Sequence, residues 1–564
     1  MKKKSMKNIF SSAICVMLSV IMMFGVCGCA KKDNGKETEK ETEKETFVTT
    51  DAQLQRVSVH DPSIVVGKDA EGKKCYYIFG SHLAFAKSYD LMSWKTFKNN
   101  INKDFRTLFA DAFAWSDNGD ADYDPSGNMW APDVIWNEKM GKWCMYMSIN
   151  GVSWNSSIVL LTADSLEGDW TFVGPVVYSG FNESGTYTYT QTDYVKATGD
   201  TDFSVGKTRY VTGGRSWAGS EKSTWSATVG AHAIDPCVVY DKDGNLYMSY
   251  GSWSGGIYLL ELDENTGLRD YSVKYENDTS FYTDAYMGIR IAGGGGETGE
   301  ASYIVWDEEA GYYYLYVTYG GLTASGGYHI REFRSEKIDG PYVDTDETVA
   351  NKSGARGDVG VKLFGNYYFS SLEKGISSKG YKSGGHNSAF IDEDGSRYLV
   401  YHTRFNKGNE THQVRVHQQF LNEDGWLVTA VYEYMGSQIK ESGYTKEGIV
   451  GDYEIVRHGL SAATSKVGML KTENITLHED GTITGDYEGT WEQKEVDGKG
   501  YYATIVLKDI EYKGVFFKQF DESEDHCETM TFTAVSENGA AIWASKLNVV
   551  PTDGSATSTE SETK

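Results

Sequence analysis

The sequence predicts an all-β protein, with a five-bladed β-propeller followed by a second, smaller C-terminal β-barrel-like domain. Three observations support this fold class. Aromatic residues make up 13% of the chain, with 62 Gly and only 7 Pro, a composition that suits a large antiparallel β protein better than a helical one. One pattern occurs five times between residues 60 and 430, and a different β region follows from about residue 450. At 564 residues the chain is also too long for one compact core.

In each of the five repeats a polar or charged residue opens a short apolar run, which a turn and an aromatic-rich strand follow. The runs are Asp61-Pro62-Ser63-Ile64-Val65, Ala131-Pro132-Asp133-Val134-Ile135-Trp136, Asp235-Pro236-Cys237-Val238-Val239-Tyr240, Glu300-Ala301-Ser302-Tyr303-Ile304-Val305-Trp306 and His386-Asn387-Ser388-Ala389-Phe390-Ile391. Their spacing is irregular, as expected if the loops between units carry insertions. A four-stranded sheet repeated around an axis is a propeller blade. The alternatives, a pair of β-sandwiches or a β-helix, do not predict a polar residue at the start of every unit.

These polar residues indicate a site on the propeller axis, because the innermost strand of each blade lines the central channel. Asp61, Asp235 and His386 fall in register; Asp133 lies two residues further on, and Glu300 one residue early. We therefore expect four carboxylates and a histidine in one funnel. Two carboxylates suit glycoside hydrolysis, in which an acid protonates the leaving oxygen and a base activates water.

Other functions fit less well. A formal net charge of −26 argues against nucleic acid as a partner, since a phosphate-binding face needs clustered Lys and Arg. The sequence has no Gly-x-Ser-x-Gly elbow, P-loop or His-Glu-x-x-His helix. The widely spaced Cys75, Cys144, Cys237 and Cys527 form no Cys-x-x-Cys pair, so a zinc site is not predicted.

The N-terminus predicts a bacterial cell-surface lipoprotein. Four lysines precede an apolar stretch over residues 9–26, and Val26-Cys27-Gly28-Cys29 resembles a lipobox in which Cys29 is lipidated. We expect residues 1–28 to be the lipoprotein signal peptide and residues 29–50 to be the lipidated cysteine and a charged, flexible tether. The extracellular protein would then contact the membrane only through the lipid on Cys29. The alternative is an uncleaved signal anchor.

Six motifs, in order, resemble glycoside hydrolase family 43 and, within it, the endo-α-1,5-L-arabinanases. They are His60-Asp61-Pro62-Ser63-Ile64, Trp130-Ala131-Pro132-Asp133-Val134, Ala233-Ile234-Asp235-Pro236, Gly299-Glu300-Ala301-Ser302-Tyr303-Ile304, Gly385-His386-Asn387-Ser388 and Tyr401-His402-Thr403-Arg404-Phe405. The resemblance covers roughly residues 56 to 435, inside a predicted catalytic propeller over residues 51–440. Two positions depart from the family pattern: Ser302, where Pro is usual, and His232, where Asn is usual.

The resemblance implies an inverting enzyme that acts on arabinan and arabino-oligosaccharides of the plant cell wall. It makes Asp61 the general base, Glu300 the general acid and Asp235 the residue that orients Glu300 and tunes its pKa. His386 resembles the residue that holds one Ca²⁺ on the propeller axis; the alternative is a structural histidine. The predicted substrate-binding residues are Trp130, Asp133, Asn155, Ala233, Ile234, Ser252 and Trp253. The competing hypotheses are an exo-acting family 43 arabinofuranosidase or β-xylosidase, and a non-catalytic glycan-binding lipoprotein.

Residues 450–551 resemble the lipocalin-like module that some family 43 arabinanases carry. Residues 475–485, 501–507 and 514–520 read as strands of a small barrel, because polar and apolar residues alternate there. A packing role is expected, with carbohydrate binding as the alternative. The Ser/Thr-rich tail over residues 552–564 is expected to be disordered.

Overall fold

The computed structural model describes residues 48–50, 52–151, 154–209, 230–252, 255–280, 282–294, 299–351, 358–372, 379–461 and 468–547. The predicted signal peptide (1–28), the lipidation site Cys29, residues 29–47 of the tether and the tail 552–564 lie outside these ranges. Within them, no helix has the length and apolar character needed to span a bilayer.

Five antiparallel sheets succeed one another along the chain. Sheet 1 consists of β1 (Ser63–Lys68), β2 (Lys74–Gly80), β3 (Ala84–Ser88) and β4 (Lys95–Phe97). Sheet 2 consists of β5 (Met129–Asn137), β6 (Lys142–Ile149), β7 (Ser156–Ala163) and β8 (Thr171–Ser179). Sheet 3 has a fifth strand and consists of β9 (Cys237–Tyr240), β10 (Leu246–Gly251), β11 (Ile257–Leu262), β12 (Thr283–Asp284) and β13 (Gly288–Ala292).

The last two sheets have four strands each. Sheet 4 consists of β14 (Glu300–Asp307), β15 (Tyr312–Tyr319), β16 (His329–Ser335) and β17 (Val361–Lys362). Sheet 5 consists of β18 (Tyr381–Ile391), β19 (Arg397–Phe405), β20 (His412–Leu421) and β21 (Leu427–Thr429). The second strands are almost wholly buried, as in β15, where only Tyr312 is partly exposed. Such strands read as continuous apolar runs because neighbouring sheets cover both of their faces.

The first strands of the five sheets form a closed ring. Each of them, β1, β5, β9, β14 and β18, lies at one edge of its sheet. They contact one another in that order, and β18 contacts β1 to complete the circle. This is the arrangement of a five-bladed β-propeller with the first strands innermost, so the predicted fold class is confirmed.

A closed eight-stranded barrel follows the propeller. Its strands are β22 (Gly451–Arg457), β23 (Glu473–Leu477), β24 (Thr482–Gly485), β25 (Gly489–Val496), β26 (Lys499–Leu507), β27 (Ile510–Phe520), β28 (Glu528–Ser536) and β29 (Ala541–Lys546). Neighbours in sequence pair with one another, and β22 pairs with β29 to close the barrel. The described strands of the propeller and the barrel fall inside the predicted ranges 51–440 and 450–551.

Among the described residues, helical structure is confined to connections. The α-helices are α1 (Asn100–Leu108), α2 (Ala110–Ser116), α3 (Tyr194–Thr198), α4 (Ser204–Arg209) and α5 (Lys446–Ile449). The first two join sheets 1 and 2, and the next two lie in the long insertion between sheets 2 and 3. That insertion packs against sheet 3 through an aromatic cluster, with Phe181 5.2 Å and Tyr194 5.6 Å from the ring of Tyr286.

Candidate active site

The inner strands share a backbone feature at the point where the predicted polar residues lie. Asp61, Asp235, Ala301 and His386 all have a positive φ, between 48° and 56°. Non-glycine residues in this left-handed region cost roughly 1–3 kcal/mol each and cluster at functional sites. Sheets 4 and 5 also have irregular register at these points. The backbone therefore leaves the regular pleat there, and side chains that would alternate between faces come together.

Asp61 is buried, and nitrogen and hydroxyl groups surround its carboxylate. Its Oδ1 lies 2.7 Å from His60 Nδ1 and 3.0 Å from His386 Nδ1. The Ser81 hydroxyl donates a hydrogen bond to Oδ2 at 2.5 Å. Burial alone would raise the pKa of Asp61, but electrostatic interactions and hydrogen bonds with His386 and His60 hold this pKa well below its usual value. Asp61 is therefore ionised at neutral pH.

A second layer of basic residues holds Asp61 in place. Its backbone N–H donates to His402 Nδ1 at 3.2 Å, and the His402 ring stacks on His60 with centroids 3.9 Å apart. The Arg404 guanidinium lies 3.3 Å from His402 Nε2 and 3.2 Å from His60 Nε2. His60, Asp61 and His402 bring their ligand atoms within 4.8 Å of one another, as a metal site would require. However, His60 Nδ1 already lies against the Asp61 carboxylate, and the Asp61 N–H occupies His402 Nδ1. This group supports the carboxylate.

Asp235 lies next to the predicted acid. It is 5% exposed, and its Oδ2 accepts a hydrogen bond from the Ala301 N–H at 3.2 Å. Burial raises the pKa of Asp235 to about 6, with His386 opposing the rise and Asp61 adding to it. Because Ala301 follows Glu300 directly, this hydrogen bond fixes the backbone that carries the acid.

Glu300 has the environment of a carboxyl group that keeps its proton. Burial, reinforced by the negative charge of Asp235, raises its pKa to about 8. The Tyr328 hydroxyl donates to Glu300 Oε1 at 2.6 Å. The site thus combines an ionised carboxylate, Asp61, with a carboxyl group that is protonated near neutral pH. Two carboxyl groups whose pKa values are pushed apart can serve as acid and base in one reaction.

His386 lies between these carboxylates. Burial opposes its charge, but Asp61, Asp235 and Glu300 together raise its pKa to about 9. Its backbone N–H donates to Thr318 Oγ1 at 2.9 Å.

The surroundings of His386 bear on whether this histidine could hold the implied Ca²⁺. With Nδ1 beside Asp61, Nε2 makes no hydrogen bond to the described residues. Calcium prefers six to eight oxygen ligands, so water would have to complete its shell around one imidazole nitrogen. Binding would also displace the imidazole proton. The anionic, polar surroundings fit such a water-rich site.

Two of the predicted substrate-binding residues carry buried polar atoms without a partner. Asn155 Nδ2 and Ser252 Oγ make no hydrogen bond to the described part of the chain. A buried polar atom without a partner is unfavourable, so both could receive a hydroxyl group of a bound sugar. Ala233 and Ile234 are also buried, and their backbone atoms bond to Ser179 Oγ and Gly251 N. Trp253 lies outside the described residues.

The aromatic residues near the site have different surroundings. Trp130 is partly exposed, and its indole N–H donates to the Gly127 carbonyl at 3.1 Å. Trp154 meets His232 edge to face, with centroids 4.5 Å apart. His232 Nε2 lies 2.8 Å from Ser156 Oγ, and burial lowers the pKa of His232 to about 3. His232, one of the two departures from the family pattern, is therefore a neutral side chain that packs against Trp154.

Asp133 joins three sheets. It is 1% exposed; Oδ1 accepts from the Ser63 hydroxyl and Oδ2 from the Val238 N–H, both at 2.6 Å. Burial raises the pKa of Asp133 to about 6. Both oxygens are engaged within the protein, so this geometry gives no support to the prediction that Asp133 contacts substrate.

Several residues of the site carried no predicted role. Three of them, His60, His402 and Arg404, lie inside the quoted family motifs, so the motifs could have identified them as site residues. Ser81 and Tyr328 come from connections that follow β2 and precede β16, and no motif marks them. Their proximity to Asp61 and Glu300 depends on the packing of the blades.

Comparison with protein families matches residues 186–427 to the model described as glycosyl hydrolases family 43. Residues 431–544 match a C-terminal lipocalin-like domain of the same family. Together these matches span the second half of the propeller and the barrel.

Individual proteins of known activity match over most of the chain. The chain is 35% identical over 512 residues to extracellular endo-α-(1→5)-L-arabinanase 2 of Bacillus subtilis (strain 168), a match that covers 87% of this chain and 94% of that protein. It is 35% identical over 507 residues to an extracellular endo-α-(1→5)-L-arabinanase of Thermotoga petrophila, covering 87% and 93%. A crystal structure of endo-1,5-α-L-arabinanase from Thermotoga petrophila RKU-1 superposes with a TM-score of 0.71 at 33% identity, covering 88% of this chain and all of that one.

Proposed function

The chain belongs to glycosyl hydrolases family 43, and we propose that it is an extracellular enzyme that cleaves the α-1,5-linked L-arabinofuranosyl bonds of arabinan from within the polymer. Membership of the family makes it a glycoside hydrolase. The substrate and the endo mode are inferred from relatives that are endo-arabinanases and match almost over their full length.

One observation carries the assignment of roles: a carboxylate that stays ionised and a carboxyl group that stays protonated meet at the inner ends of the blades. Asp61 has a pKa held well below its usual value, and Glu300 has a pKa of about 8. Between these values the enzyme holds both groups in the state that hydrolysis of a glycosidic bond requires.

In the reaction that we propose, Glu300 donates its proton to the leaving oxygen. Burial and the charge of Asp235 favour its protonated form, and the hydrogen bond from Ala301 N–H to Asp235 holds the two residues in a fixed relation. Without a proton, the arabinan alkoxide is a poor leaving group.

Asp61 accepts the proton of the attacking water. His60 and Ser81 fix both oxygens of its carboxylate. The imidazoles that keep it ionised also make it a weak base. A weak base suffices where the transition state resembles an oxocarbenium ion, because water then attacks a strongly electrophilic carbon. The resemblance to the inverting enzymes of the family leads us to infer inversion at the anomeric carbon, with Asp61 activating a water molecule rather than attacking the sugar itself.

We further propose that His386 holds one Ca²⁺, through Nε2, with water as the remaining ligands. A bound Ca²⁺ would supply positive charge beside the three carboxylates. The protein's own part is to orient the imidazole through the contact of Nδ1 with Asp61 Oδ1 at 3.0 Å and the hydrogen bond from His386 N to Thr318.

For location, we propose a secreted protein held at the cell surface by a lipid on Cys29. The lipobox-like Val26-Cys27-Gly28-Cys29 supports this, as do relatives described as extracellular. Cys29→Ser should abolish labelling by radioactive palmitate, while a matched Cys527→Ser variant keeps the label. Labelling that survives Cys29→Ser would refute the anchor.

The test of function is a product analysis. Purified full-length protein in detergent is incubated with linear arabinan, branched arabinan and xylan, and the products are resolved by size. Mixed arabino-oligosaccharides from linear arabinan are expected. Arabinose alone would show exo action, xylose would show a xylosidase, and binding of arabinan without new reducing ends would show a glycan-binding protein.

A further inference from the structure

The residue that most directly contacts the proposed acid has no assigned role. Tyr328 is 1% exposed, and its hydroxyl makes the only hydrogen bond that the Glu300 carboxyl forms with the described residues, at 2.6 Å to Oε1. The residue precedes β16 directly, so the end of an otherwise structural strand brings it to the site.

The Tyr328 ring has little freedom to move. One face lies against His402, with ring centroids 5.9 Å apart. At Gly385, the neighbour of His386, an added Cβ would lie only 2.3 Å from Tyr328 Cδ1. A glycine is therefore required there to admit the ring, and the position of the hydroxyl is set by packing on both sides.

A fixed donor at Oε1 decides which oxygen of Glu300 can carry the acidic proton. Because the phenol donates to Oε1, that oxygen acts as the acceptor, and the carboxyl proton is placed on Oε2. After Glu300 has given its proton to the leaving group, the same hydrogen bond becomes charge-assisted and stronger. It thus favours the state that follows proton transfer over the state that precedes it.

We propose that Tyr328 is a positioning residue for the general acid: it directs the transferable proton to Oε2 of Glu300 and stabilises the carboxylate that proton transfer leaves behind. This rests on the proposed role of Glu300. It makes no use of Asp61, which stands in a separate set of hydrogen bonds.

The test variant is Tyr328→Phe, which removes the hydroxyl and keeps the ring. Loss of one hydrogen bond to a charged group should lower kcat on linear arabinan roughly 10- to 100-fold. An aryl arabino-oligosaccharide with a nitrophenol leaving group should lose much less, because that departure needs little protonation. The matched control is Tyr316→Phe in the same sheet. Tyr316 is also 1% exposed, but its hydroxyl donates to Gln419 at 2.7 Å rather than to any of the catalytic candidates.

The pH profile separates positioning from a general loss of structure. Glu300 faces Asp235, His386, Asp61 and Tyr328, and of these only the Tyr328 hydroxyl is removed. A hydrogen bond to the ionised form lowers a pKa, so its loss should move the basic limb of kcat to higher pH. A structural defect would lower kcat without moving that limb.

Three outcomes are decisive. A fall on arabinan, a smaller fall on the aryl substrate and a basic limb at higher pH support the proposal. Equal falls on both substrates with an unmoved limb, or a response equal to that of Tyr316→Phe, would overturn it. If the wild-type protein released nothing from arabinan, the proposed function would fail before this comparison is made. Melting curves of both variants show whether they are folded.

Discussion

Replacing Glu300 by Gln removes the acidic proton and alters little else. The amide has nearly the same shape, and its oxygen can still accept the Tyr328 hydroxyl that bonds Oε1 at 2.6 Å. The neighbouring backbone bond from Ala301 to Asp235 is unaffected. The variant therefore isolates the proton, since the packing of this partly buried side chain is kept.

General acid catalysis contributes about 10²–10⁴-fold, or roughly 3–5 kcal/mol of transition-state stabilisation. Glu300→Gln should lose this factor on linear arabinan and less than about tenfold on an aryl arabino-oligosaccharide. Initial rates on both substrates, measured at pH 6 so that wild-type Glu300 is protonated, provide the comparison. Asp61→Asn is the control: it should lose a similar factor on both substrates, since both need activated water. Equal losses for Glu300→Gln on the two substrates would refute its role as the acid.

Three further predictions concern pH, metal and stability. With the pKa of Glu300 at about 8, kcat should fall as pH rises through 8. A pKa that is higher in the folded than in the unfolded state destabilises the fold once pH exceeds the unfolded value, so Glu300→Gln should melt at a higher temperature than wild type at pH 8 and at the same temperature at pH 4. A difference in melting temperature that is the same at both pH values would contradict this linkage. Calcium removal by a chelator should lower both activity and melting temperature. If the purified protein contains no calcium and the chelator changes neither quantity, His386 has no metal role. Glu522→Ala should lower the free energy of unfolding by roughly 1–3 kcal/mol, as calorimetry would detect, because it leaves the Tyr381 hydroxyl and the Glu433 N–H without their buried acceptor. Glu528→Ala, in a partly exposed pair with Lys518, is the control and should change little.

The sequence predicts the architecture, which the structure confirms, and it predicts that the residues of the site lie on the inner strands. The pattern of the five repeats can be recognised although their spacing is irregular, because the insertions lie in loops while the inner strands keep their positions on the ring. Asp61, Asp235, Glu300 and His386 were expected together, and the described contacts among them support that expectation. The reason is geometric: equivalent starts of inner strands must converge when five sheets surround one axis.

Other features depend on packing that no pattern in the sequence encodes. The left-handed residues of the inner strands and their approaches are Asp, Ala and His rather than Gly, so no local sequence signal marks this backbone conformation. Tyr328 reaches Glu300 only because Gly385 of another sheet leaves room for its ring. Strand alternation places Asp133 on the same face as the catalytic candidates, yet the Ser63 hydroxyl and the Val238 N–H engage both of its oxygens. Strand periodicity predicts the face of a residue but not its hydrogen-bond partners.

The environment of the proposed base forms only where the two ends of the propeller meet. Asp61 precedes the first strand, whereas His386, His402 and Arg404 belong to the last sheet.

Backbone hydrogen bonds and contacts with the barrel also stabilise this junction between the first and last sheets. The Val414 N–H donates to the Val57 carbonyl at 3.0 Å, and Arg56 pairs with Glu433 at 2.7 Å. The barrel contributes Glu522, which accepts a hydrogen bond from the Tyr381 hydroxyl at the beginning of β18, the strand of His386. Closure of the ring therefore brings His386 and His402 to Asp61. A substitution that loosens this junction should reduce activity before it unfolds the sheets, because Asp61 loses His386 and His402 when the first and last blades separate.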